Sequence, residues 1–323
     1  MPDPTPPVSR FPFPVIIDSD PGIDDTLALL LALNSPELDV RGISVSYGNT
    51  VAENAYRNAV EILRWTGKRA RLAVGARRPL TRTLRVAHET HGESGLGYAA
   101  VPPAGVVLDF VRSLDRLLAE QEDRVTLVTL GPLTSLALAL RRDADLVRAR
   151  VGRHIAMVGS LTAKGNTTKH SEFNAWCDPE ALATVLAAQL PTEIVGLDVT
   201  RQLVLSTADV SRLGANDAPR AQWLFEALKF YVEFHREHEG LEGCVVNDVL
   251  PIAALLQPDV LTFQPARITV DLDSGDARGR TREAPDGVAA LVAREVRVDP
   301  VRSLLSARVF RWATAELPVE ASA

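Results

Sequence analysis

The stretch IIDSDPGIDDTLALLLAL, residues 16–33, decides the fold of this chain. Its apolar run ends at Asp18, a Pro-Gly turn follows, and Asp24 and Asp25 open a stretch of helical character. With Asp20, four carboxylates stand close together in the sequence. The negative charges of these carboxylates repel one another unless a cation, a shared proton or solvent lies between them. A bound divalent cation is the simplest resolution.

Short apolar runs alternate with helical patterns over the first two thirds of the chain. They predict strand 13–18, helix 24–33, strand 39–46, helix 51–66, helix 105–119, strand 125–130, helix 133–140, strand 154–158, helix 178–189 and strand 193–197. This alternation predicts an α/β fold with an open, mainly parallel central sheet flanked by helices. Ligands collect at the carboxyl ends of strands in such sheets. The aspartates, Gly48-Asn49, Leu130-Gly131-Pro132 and the segment after Gly159 should therefore converge on one mouth.

The pattern changes after residue 215. We predict a long helical stretch to about residue 237, a Gly-containing turn, a helix from 248, and β-type runs near 260–272 and 287–298, with 273–286 as a polar loop. Residues 1–12 hold five prolines and are predicted to be a mobile tail. Residues 13–318 are predicted to form one domain.

Composition excludes several classes of function. The 323 residues are 46% hydrophobic and contain no uncharged apolar run long enough to span a membrane, and the N-terminal residues lack the pattern of a signal peptide. We therefore expect a cytoplasmic protein without a membrane partner. The net charge is −6, and the basic stretch 64–85 has no interleaved aromatic residues, so we expect a solvated face and no nucleic-acid partner. Cys177 and Cys244 lack metal-ligand spacing and are predicted to be buried and reduced.

Hard cations that bind sugar hydroxyls need carboxylates, a carbonyl and open positions. Asp20 and Asp25 are natural ligands, although acids also favour the N-terminus of a helix for its dipole alone. Asp248, in CVVNDVLPIAALL, either supplies a third carboxylate or caps the helix that it begins.

The segment GNTTKHSEFNAWCDPEA, residues 165–181, is a second polar cluster. Asn166, Glu172 and Asn174 could fix several hydroxyl groups by hydrogen bonds. Asp178 precedes Pro179 and is predicted to be a helix N-cap.

The chain resembles the nucleoside hydrolase family, often called inosine-uridine preferring nucleoside N-ribohydrolases. The matching segments, in the order of the family, are DSDPGIDD (18–25), Gly48-Asn49, HGESGLG (91–97), TLGPLTSLALAL (129–140), EFNAWCDPEA (172–181) and Asn247-Asp248. The resemblance implies an open α/β fold, homodimeric or homotetrameric assembly, and Ca²⁺-dependent hydrolysis of a ribonucleoside to ribose and free base.

The resemblance also implies roles for individual residues. Asp20 is expected to bind the metal and to act as general base on its water, and Asn49 to orient Asp20 or that water. The other protein ligands are expected to be Asp25, Asp248 and the carbonyl of Leu130. Asp24 and Asn174 are expected to bind the 2′- and 3′-hydroxyls, and Asn166 and Glu172 to hold the 5′ end. Asp18 is expected to support Asp20 rather than to bind the metal.

One position departs from the pattern of the family. Asn247 stands where the best-known members have a histidine that protonates the leaving base, and where purine-specific relatives have a tryptophan. An amide can contact the substrate but cannot deliver a proton, and general-acid help is typically about 10²- to 10⁴-fold. His91, in the HGESGLG loop that approaches the base in relatives, is either the replacement that contacts the base or a structural histidine. His235 and His238 belong either to a flap over the base or to a solvated helix face.

Three functions are compatible with these residues. The first is a hydrolase of ribonucleosides or of a close N-riboside such as nicotinamide riboside, whose leaving group needs no proton. The second is a Ca²⁺-dependent ribose or nucleoside binding protein with little catalysis. A phosphatase of the haloacid dehalogenase type is disfavoured, because Asp24 and Asp25 follow the DSD too closely.

Overall fold

The computed structural model describes residues 12–102 and 113–315. Within these ranges the strands are β1 (Phe13–Ser19), β2 (Leu38–Val45), β3 (Arg71–Val74), β4 (Val125–Thr129), β5 (Val151–Met157), β6 (Thr192–Val195), β7 (Val204–Ser206), β8 (Gly243–Val245), β9 (Leu261–Val270), β10 (Thr281–Glu283) and β11 (Val288–Val296).

The first seven helices are α1 (Ile23–Leu33), α2 (Ala52–Thr66), α3 (His88–His91), α4 (Leu114–Ala119), α5 (Thr134–Arg142), α6 (Ala144–Arg150) and α7 (Phe173–Cys177). The others are α8 (Pro179–Ala187), α9 (Leu197–Thr200), α10 (Thr207–Gly214), α11 (Pro219–Glu239), α12 (Val249–Leu256), α13 (Val298–Leu305) and α14 (Arg311–Thr314). A 3₁₀ turn covers Pro258–Val260, and a π-helical turn covers Ser306–Phe310.

The central sheet has the strand order β10-β9-β11-β6-β5-β4-β1-β2-β3. Every neighbouring pair from β11 to β3 is parallel, whereas β9 and β10 run antiparallel at one edge. Strands β7 and β8 form a separate antiparallel pair. The prediction of an open, mainly parallel sheet flanked by helices in a single domain is confirmed.

Strand β1 lies inside the sheet, between β2 and β4, and its side chains supply both faces. Val15 and Ile17 belong to one hydrophobic core and Ile16 to the other, because successive side chains of a strand point to opposite faces. Burial on both faces explains why this segment is continuously apolar. Asp18 pairs in register with Ser44 of β2 and Thr129 of β4, so the three strands end at the same edge of the sheet.

Helix α1 starts immediately after the Pro-Gly turn. The Gly22 backbone N–H donates to Asp25 Oδ2 at 3.0 Å, and the Thr26 hydroxyl donates to the Gly22 carbonyl at 2.7 Å. The first of these bonds satisfies a backbone N–H group that the start of a helix otherwise leaves without a partner. All eleven residues of the helix are buried. Its two acids are therefore held inside the protein rather than on a solvated face.

Several short elements were not predicted from the sequence. Strand β10 lies inside the predicted polar loop 273–286, so that prediction was wrong at Thr281–Glu283; only Thr281 is buried there, which leaves no apolar pattern to read. Strands β3, β7 and β8 were also missed. The predicted helix 105–119 is seen as α4, and its remainder lies largely outside the described residues, as does nearly all of the predicted tail 1–12.

The prediction for the two cysteines is confirmed, and most basic side chains of residues 64–85 are exposed. Within the basic stretch, Arg64 pairs with Glu61, and Arg82 pairs with Glu180. Cys177 and Cys244 are free thiols inside the protein. In the described part of the chain, no helix is both long enough and apolar enough to cross a membrane.

Candidate active site

A pocket opens at the carboxyl ends of the parallel strands and encloses about 730 Å³, its open mouth included. The segments after β1, β2, β4 and β5 contribute to its lining, as the sequence predicted, and the segment after β6 contributes as well. The residues that line the pocket include Asp24, Asn49, His91, Leu130, Met157, Asn166, Glu172, Phe173, Asn174, Arg201, Tyr231, Phe234, His235, Glu239, Asn247 and Asp248.

Three aspartates form a tight cluster in this pocket. One carboxylate oxygen from each of Asp24, Asp25 and Asp248 lies within 4.8 Å of the other two, and all three residues are buried. Burial and the neighbouring charge of Asp25 raise the pKa of Asp24 to about 7. Burial, followed by the charges of Asp24 and Asp25, raises the pKa of Asp248 well above its ordinary value. A divalent cation would relieve this repulsion.

Asp20 is fully buried beside this cluster but is not one of its three members. Its Oδ2 accepts a hydrogen bond from the Asn49 backbone N–H at 2.7 Å. Its Oδ1 is buried and has no hydrogen-bond partner among the described residues. Burial and the charge of Asp25 raise its pKa. A buried carboxylate oxygen without a partner, next to three further carboxylates, fits a hard cation that binds oxygen ligands.

Asn49 connects the two predicted metal ligands of the first motif. While its backbone holds Asp20, its side-chain Nδ2 donates to Asp25 Oδ2 at 2.7 Å. Asp25 Oδ1 accepts from the Ser19 hydroxyl at 2.5 Å. Both aspartates are thereby fixed in orientation before any ligand binds. The bond of Asn49 to Asp20 is made by its backbone, and the predicted role of Asn49 in orienting Asp20 stays a prediction.

Asn174 fixes the carbonyl of Leu130 at the pocket. Its Nδ2 donates to the Leu130 carbonyl at 2.7 Å and to the Met157 carbonyl at 3.0 Å. Both amide hydrogens are therefore in use. The side-chain oxygen is the atom of Asn174 that can still accept a hydrogen bond from a hydroxyl group of a ligand.

Glu172 and Asn166 have structural contacts that were not foreseen from the sequence. The Glu172 carboxylate caps α7 and accepts hydrogen bonds from the backbone N–H groups of Gly159, Asn174 and Ala175 at 2.7–3.0 Å. The Asn166 side-chain oxygen accepts from the Phe173 N–H at 2.9 Å. Both residues nevertheless line the pocket, so these bonds also hold them in place toward a ligand.

His91 is buried and its tautomer is fixed. Its Nδ1 lies 3.1 Å from the backbone nitrogen of Ile23, which is always a donor, so Nδ1 accepts and Nε2 carries the proton. Burial lowers the pKa of His91 to about 3. His91 can therefore donate a hydrogen bond to a leaving base at neutral pH, but it is not a reservoir of an acidic proton.

Helix α11 supplies a wall of the pocket that was largely missed from the sequence. Tyr231 packs between His91 and His235, with ring centroids 5.2 and 4.4 Å apart, and His235 Nδ1 bonds to the Tyr231 carbonyl at 2.9 Å. The solvated-face alternative is wrong for His235, which is buried, whereas His238 is exposed. Tyr231, His235 and Glu239 are spaced four residues apart, which places them on one face of the helix. This spacing is the sequence signal that could have identified the wall of the pocket.

Two other predictions concern acids outside the pocket lining. Asp18 is fully buried next to the hydroxyls of Ser44 and Ser135, and burial raises its pKa to about 7. Asp18 is not a member of the cluster of Asp24, Asp25 and Asp248, and neither of its carboxylate oxygens has a hydrogen-bond partner among the described residues. Its support of Asp20 stays a prediction. Asp178 accepts from the Ala181 N–H and caps α8 with Pro179 in the first turn, as predicted.

The fold and site define an α/β protein in which buried aspartates and amide side chains line one pocket at the carboxyl ends of parallel strands. Residues 15–303 match the family model of the inosine-uridine preferring nucleoside hydrolases. The chain belongs to this family, and it is a nucleoside hydrolase.

Named relatives agree with this assignment. The chain is 37% identical over 273 residues to the pyrimidine-specific ribonucleoside hydrolase RihA of Enterobacter sp. (strain 638), covering 83% of this chain and 87% of the relative. It is 36% identical to the RihA of Photobacterium profundum, with the same coverage.

Solved structures show the same fold. A plant nucleoside hydrolase, PpNRh1, superposes with a TM-score of 0.85 at 31% identity and covers 94% of this chain and 100% of its own. The purine-preferring ribonucleoside hydrolase from Gardnerella vaginalis gives 0.85 at 28% identity and covers 93% and 99%.

Proposed function

We propose that this protein hydrolyses the N-glycosidic bond of ribonucleosides in a calcium-dependent reaction that gives ribose and free base. The observation that supports this most strongly is the set of buried aspartates, Asp20, Asp24, Asp25 and Asp248, at the strand ends beside Asn174. A cytoplasmic homodimer or homotetramer is part of the same proposal.

The predicted protein ligands fit a hard cation. The carboxylates of Asp20, Asp25 and Asp248 and the carbonyl of Leu130 would hold calcium; Asp24 lies close enough to compete for it. When bound, calcium supplies a Lewis acid that holds hydroxyl groups of the ribose and lowers the pKa of a water molecule.

The ribose is held by fixed groups. Asp24 and the free side-chain oxygen of Asn174 accept hydrogen bonds from the 2′- and 3′-hydroxyls, while Asn166 and Glu172 hold the 5′ end. Since the amide hydrogens of Asn174 are already bound by two backbone carbonyls, its oxygen does not have to be reoriented when the ribose arrives. Such prior ordering lowers the cost of binding.

Bond cleavage builds positive charge on the ribose. The buried carboxylates stabilise that charge more than they stabilise the neutral substrate, which lowers the barrier. Asp20 accepts the proton of the attacking water, as the general base of the reaction. Asn49 keeps Oδ2 of Asp20 fixed during this transfer.

The leaving base receives a hydrogen bond instead of a proton. Position 247 is an amide, and His91 offers a neutral Nε2–H. Such a site favours bases that leave as stabilised anions or as neutral molecules. The RihA relatives are named pyrimidine-specific, so pyrimidine ribonucleosides are the first substrates that we propose, with nicotinamide riboside as the case that needs no acid.

A ribose or nucleoside binding protein with little catalysis is the alternative. It is favoured by the low pKa of His91 and by the absence of a histidine at position 247. Both functions share the ribose site and differ only in turnover.

The test is ribose release from purine and pyrimidine ribonucleosides, nicotinamide riboside and 4-nitrophenyl riboside, with calcium and after chelation. Cleavage that stops on chelation and in Asp20→Asn, but persists in the surface control Asp145→Asn, supports the hydrolase. Cleavage of 4-nitrophenyl riboside alone points to a ribose site that lacks help for the leaving group. Ribose binding without any cleavage would replace the hydrolase by the binding protein.

A further inference from the structure

Asn247 bonds to two residues on opposite sides of it. Its backbone N–H and its Nδ2 lie 3.2 and 3.4 Å from Asp24 Oδ2, and its Oδ1 lies 2.8 Å from the Thr200 hydroxyl. Thr200 is fully buried, and Asp24 is 4% exposed. Thr200, Asn247 and Asp24 therefore form one hydrogen-bonded network, in which Asn247 and Asp24 line the pocket and Thr200 lies behind them.

These hydrogen bonds determine the orientation of the Asn247 side-chain amide. Asp24 is an acceptor when ionised, so Asn247 must present its NH₂ group to it. The amide oxygen is then directed to Thr200, whose hydroxyl donates. Turning the amide over would set an oxygen against a carboxylate and leave that carboxylate without its side-chain donor, which is costly for a buried group. The Thr200 hydroxyl thus opposes the wrong orientation.

The hydrogen bonds among Thr200, Asn247 and Asp24 also determine which oxygen of Asp24 faces the ribose. Both donors of Asn247 contact Oδ2, so Oδ1 is left for the substrate. Asp24 belongs to the cluster of three carboxylates that suits a cation. Without Asn247, its carboxylate would be freer to rotate toward the cation and away from the ribose.

We propose that Asn247 is a positioning residue that acts on the ribose through Asp24, and that Thr200 sets the orientation of its amide. This inference rests on the proposed ribose site. It adds a second role to our prediction that Asn247 contacts the substrate, and it gives Thr200 a role that the sequence did not suggest.

A positioning role and a leaving-group role make different predictions. If Asn247 acts through Asp24, its loss weakens the grip on ribose and slows every leaving group by the same factor. If Asn247 assists the base, its loss affects poor leaving groups most and leaves free ribose binding unchanged. The comparison of inosine, uridine and 4-nitrophenyl riboside separates these cases.

The variants are Asn247→Ala, Thr200→Val and Thr200→Ser. Thr200→Val removes only the hydroxyl, and Thr200→Ser restores it. The matched control is Thr192→Val, because Thr192 also carries a buried hydroxyl, bonded to His154 away from the pocket. Dissociation constants for ribose, 2-deoxyribose and 3-deoxyribose are measured by ligand-detected NMR in saturating calcium, together with kcat, KM and the calcium dissociation constant.

We expect Thr200→Val to weaken ribose binding about fivefold and Asn247→Ala about tenfold or more, the usual effect of losing one hydrogen bond to a neutral and to a charged partner. Thr200→Ser should recover most of the loss, and Thr192→Val should show none. One of the two deoxy sugars lacks the hydroxyl that Asp24 binds. For that sugar the variant and the wild type should have nearly equal dissociation constants, because the contact between Asp24 and the hydroxyl no longer exists.

Three results would overturn the proposal: unchanged ribose binding in Asn247→Ala, a loss equal for all three sugars, or a loss of rate that grows as the leaving group becomes poorer. The proposed hydrolysis can fail separately. Wild-type protein that binds ribose but cleaves nothing refutes the hydrolase and leaves the sugar-binding test intact. Wild-type protein that binds no ribose in calcium refutes both.

Discussion

The Nδ1 atom of His91 accepts a hydrogen bond from the backbone N–H of Ile23, 3.1 Å away, at the first turn of α1. That same turn carries Asp24 and Asp25, so one helix start orients both the acids of the site and the histidine opposite them. An imidazole held in this way is neutral and donates from Nε2.

His91 should therefore act as a hydrogen-bond donor and not as an acid. We expect His91→Phe to lower kcat by about 10- to 100-fold for uridine, the range for losing a hydrogen bond to a charged group. Nitrogen-15 NMR should show the neutral Nε2–H tautomer from pH 8 down to pH 5. The exposed His238→Phe variant is the control. A protonated His91 ring at pH 6 would contradict this assignment.

Gly131 leaves the space that the Asp20 carboxylate occupies. A Cβ added at Gly131 would lie 2.8 Å from Asp20 Cγ and closer still to Oδ1. Gly131→Ala should displace Asp20 and lower kcat by about 100-fold or more, because errors near 1 Å in catalytic groups cost that much. Gly275→Ala is the control, since nothing lies within 4 Å of its added Cβ. Equal activity of both variants would show that Asp20 is not the base.

Calcium should stabilise the folded protein by relieving repulsion among Asp24, Asp25 and Asp248. At a free concentration 100 times the dissociation constant, binding adds about 2.7 kcal/mol to the free energy of unfolding. In Asp248→Asn this gain should largely disappear, while Asp145→Asn retains it. Thermal unfolding with and without chelator measures both. A calcium-independent melting temperature in the wild type would argue against the site.

The site should discriminate against 2′-deoxyribonucleosides. Removing a hydroxyl leaves Asp24, Asn174 or the cation without a partner in a buried place, and such sites reject the incomplete analogue by about 10⁴-fold in kcat/KM. The comparison is uridine against 2′-deoxyuridine under identical calcium. Ratios below about tenfold would mean that the ribose hydroxyls are not held as proposed.

His154 should make the protein less stable as the pH falls. It is fully buried between the hydroxyls of Thr129 and Thr192, and burial lowers its pKa to about 3. Between that value and the ordinary pKa near 6.5, the unfolded chain binds a proton that the folded protein does not. Stability is then lost by about 1.4 kcal/mol per pH unit below pH 6.5.

Urea unfolding of the wild type and of His154→Gln between pH 7.5 and pH 5 isolates this effect. The glutamine amide can bond to both threonines but cannot take up a proton, so its unfolding free energy should fall less steeply. By pH 5 the wild type should have lost about 2 kcal/mol more of its unfolding free energy than His154→Gln. Parallel pH profiles would show that His154 is protonated in the folded protein.

Much of the fold could be predicted because the periodicity of apolar residues that indicates a strand or a helix is present within each short stretch of sequence. Strand β1 and helix α1 follow from an apolar run, a Pro-Gly turn and a long apolar helix, and the order of strand ends predicted that the polar segments meet. Strand β10 could not be predicted, since it consists of three mostly exposed residues held by pairing with β9. The strand is therefore defined by its pairing with β9 and not by its own residue pattern.

The site was predicted in part for the same reason. Asp20, Asp24 and Asp25 were evident from their spacing in a single motif. The role of Thr200 was not, because it depends on Asn247, which lies 47 residues further along the chain. His235 looked like one of several charged or polar residues on a surface helix until its packing against Tyr231 was seen.

The sequence by itself determined the class of fold, the family and the identity of the acids that meet at the strand ends, since these depend on order and spacing along the chain. The tertiary structure alone decided what each acid and amide can do. Which oxygen of Asp24 is free, which tautomer His91 adopts and which way the Asn247 amide faces are set by donors and acceptors brought together by folding. A hydrogen bond fixes orientation only when both partners are in place.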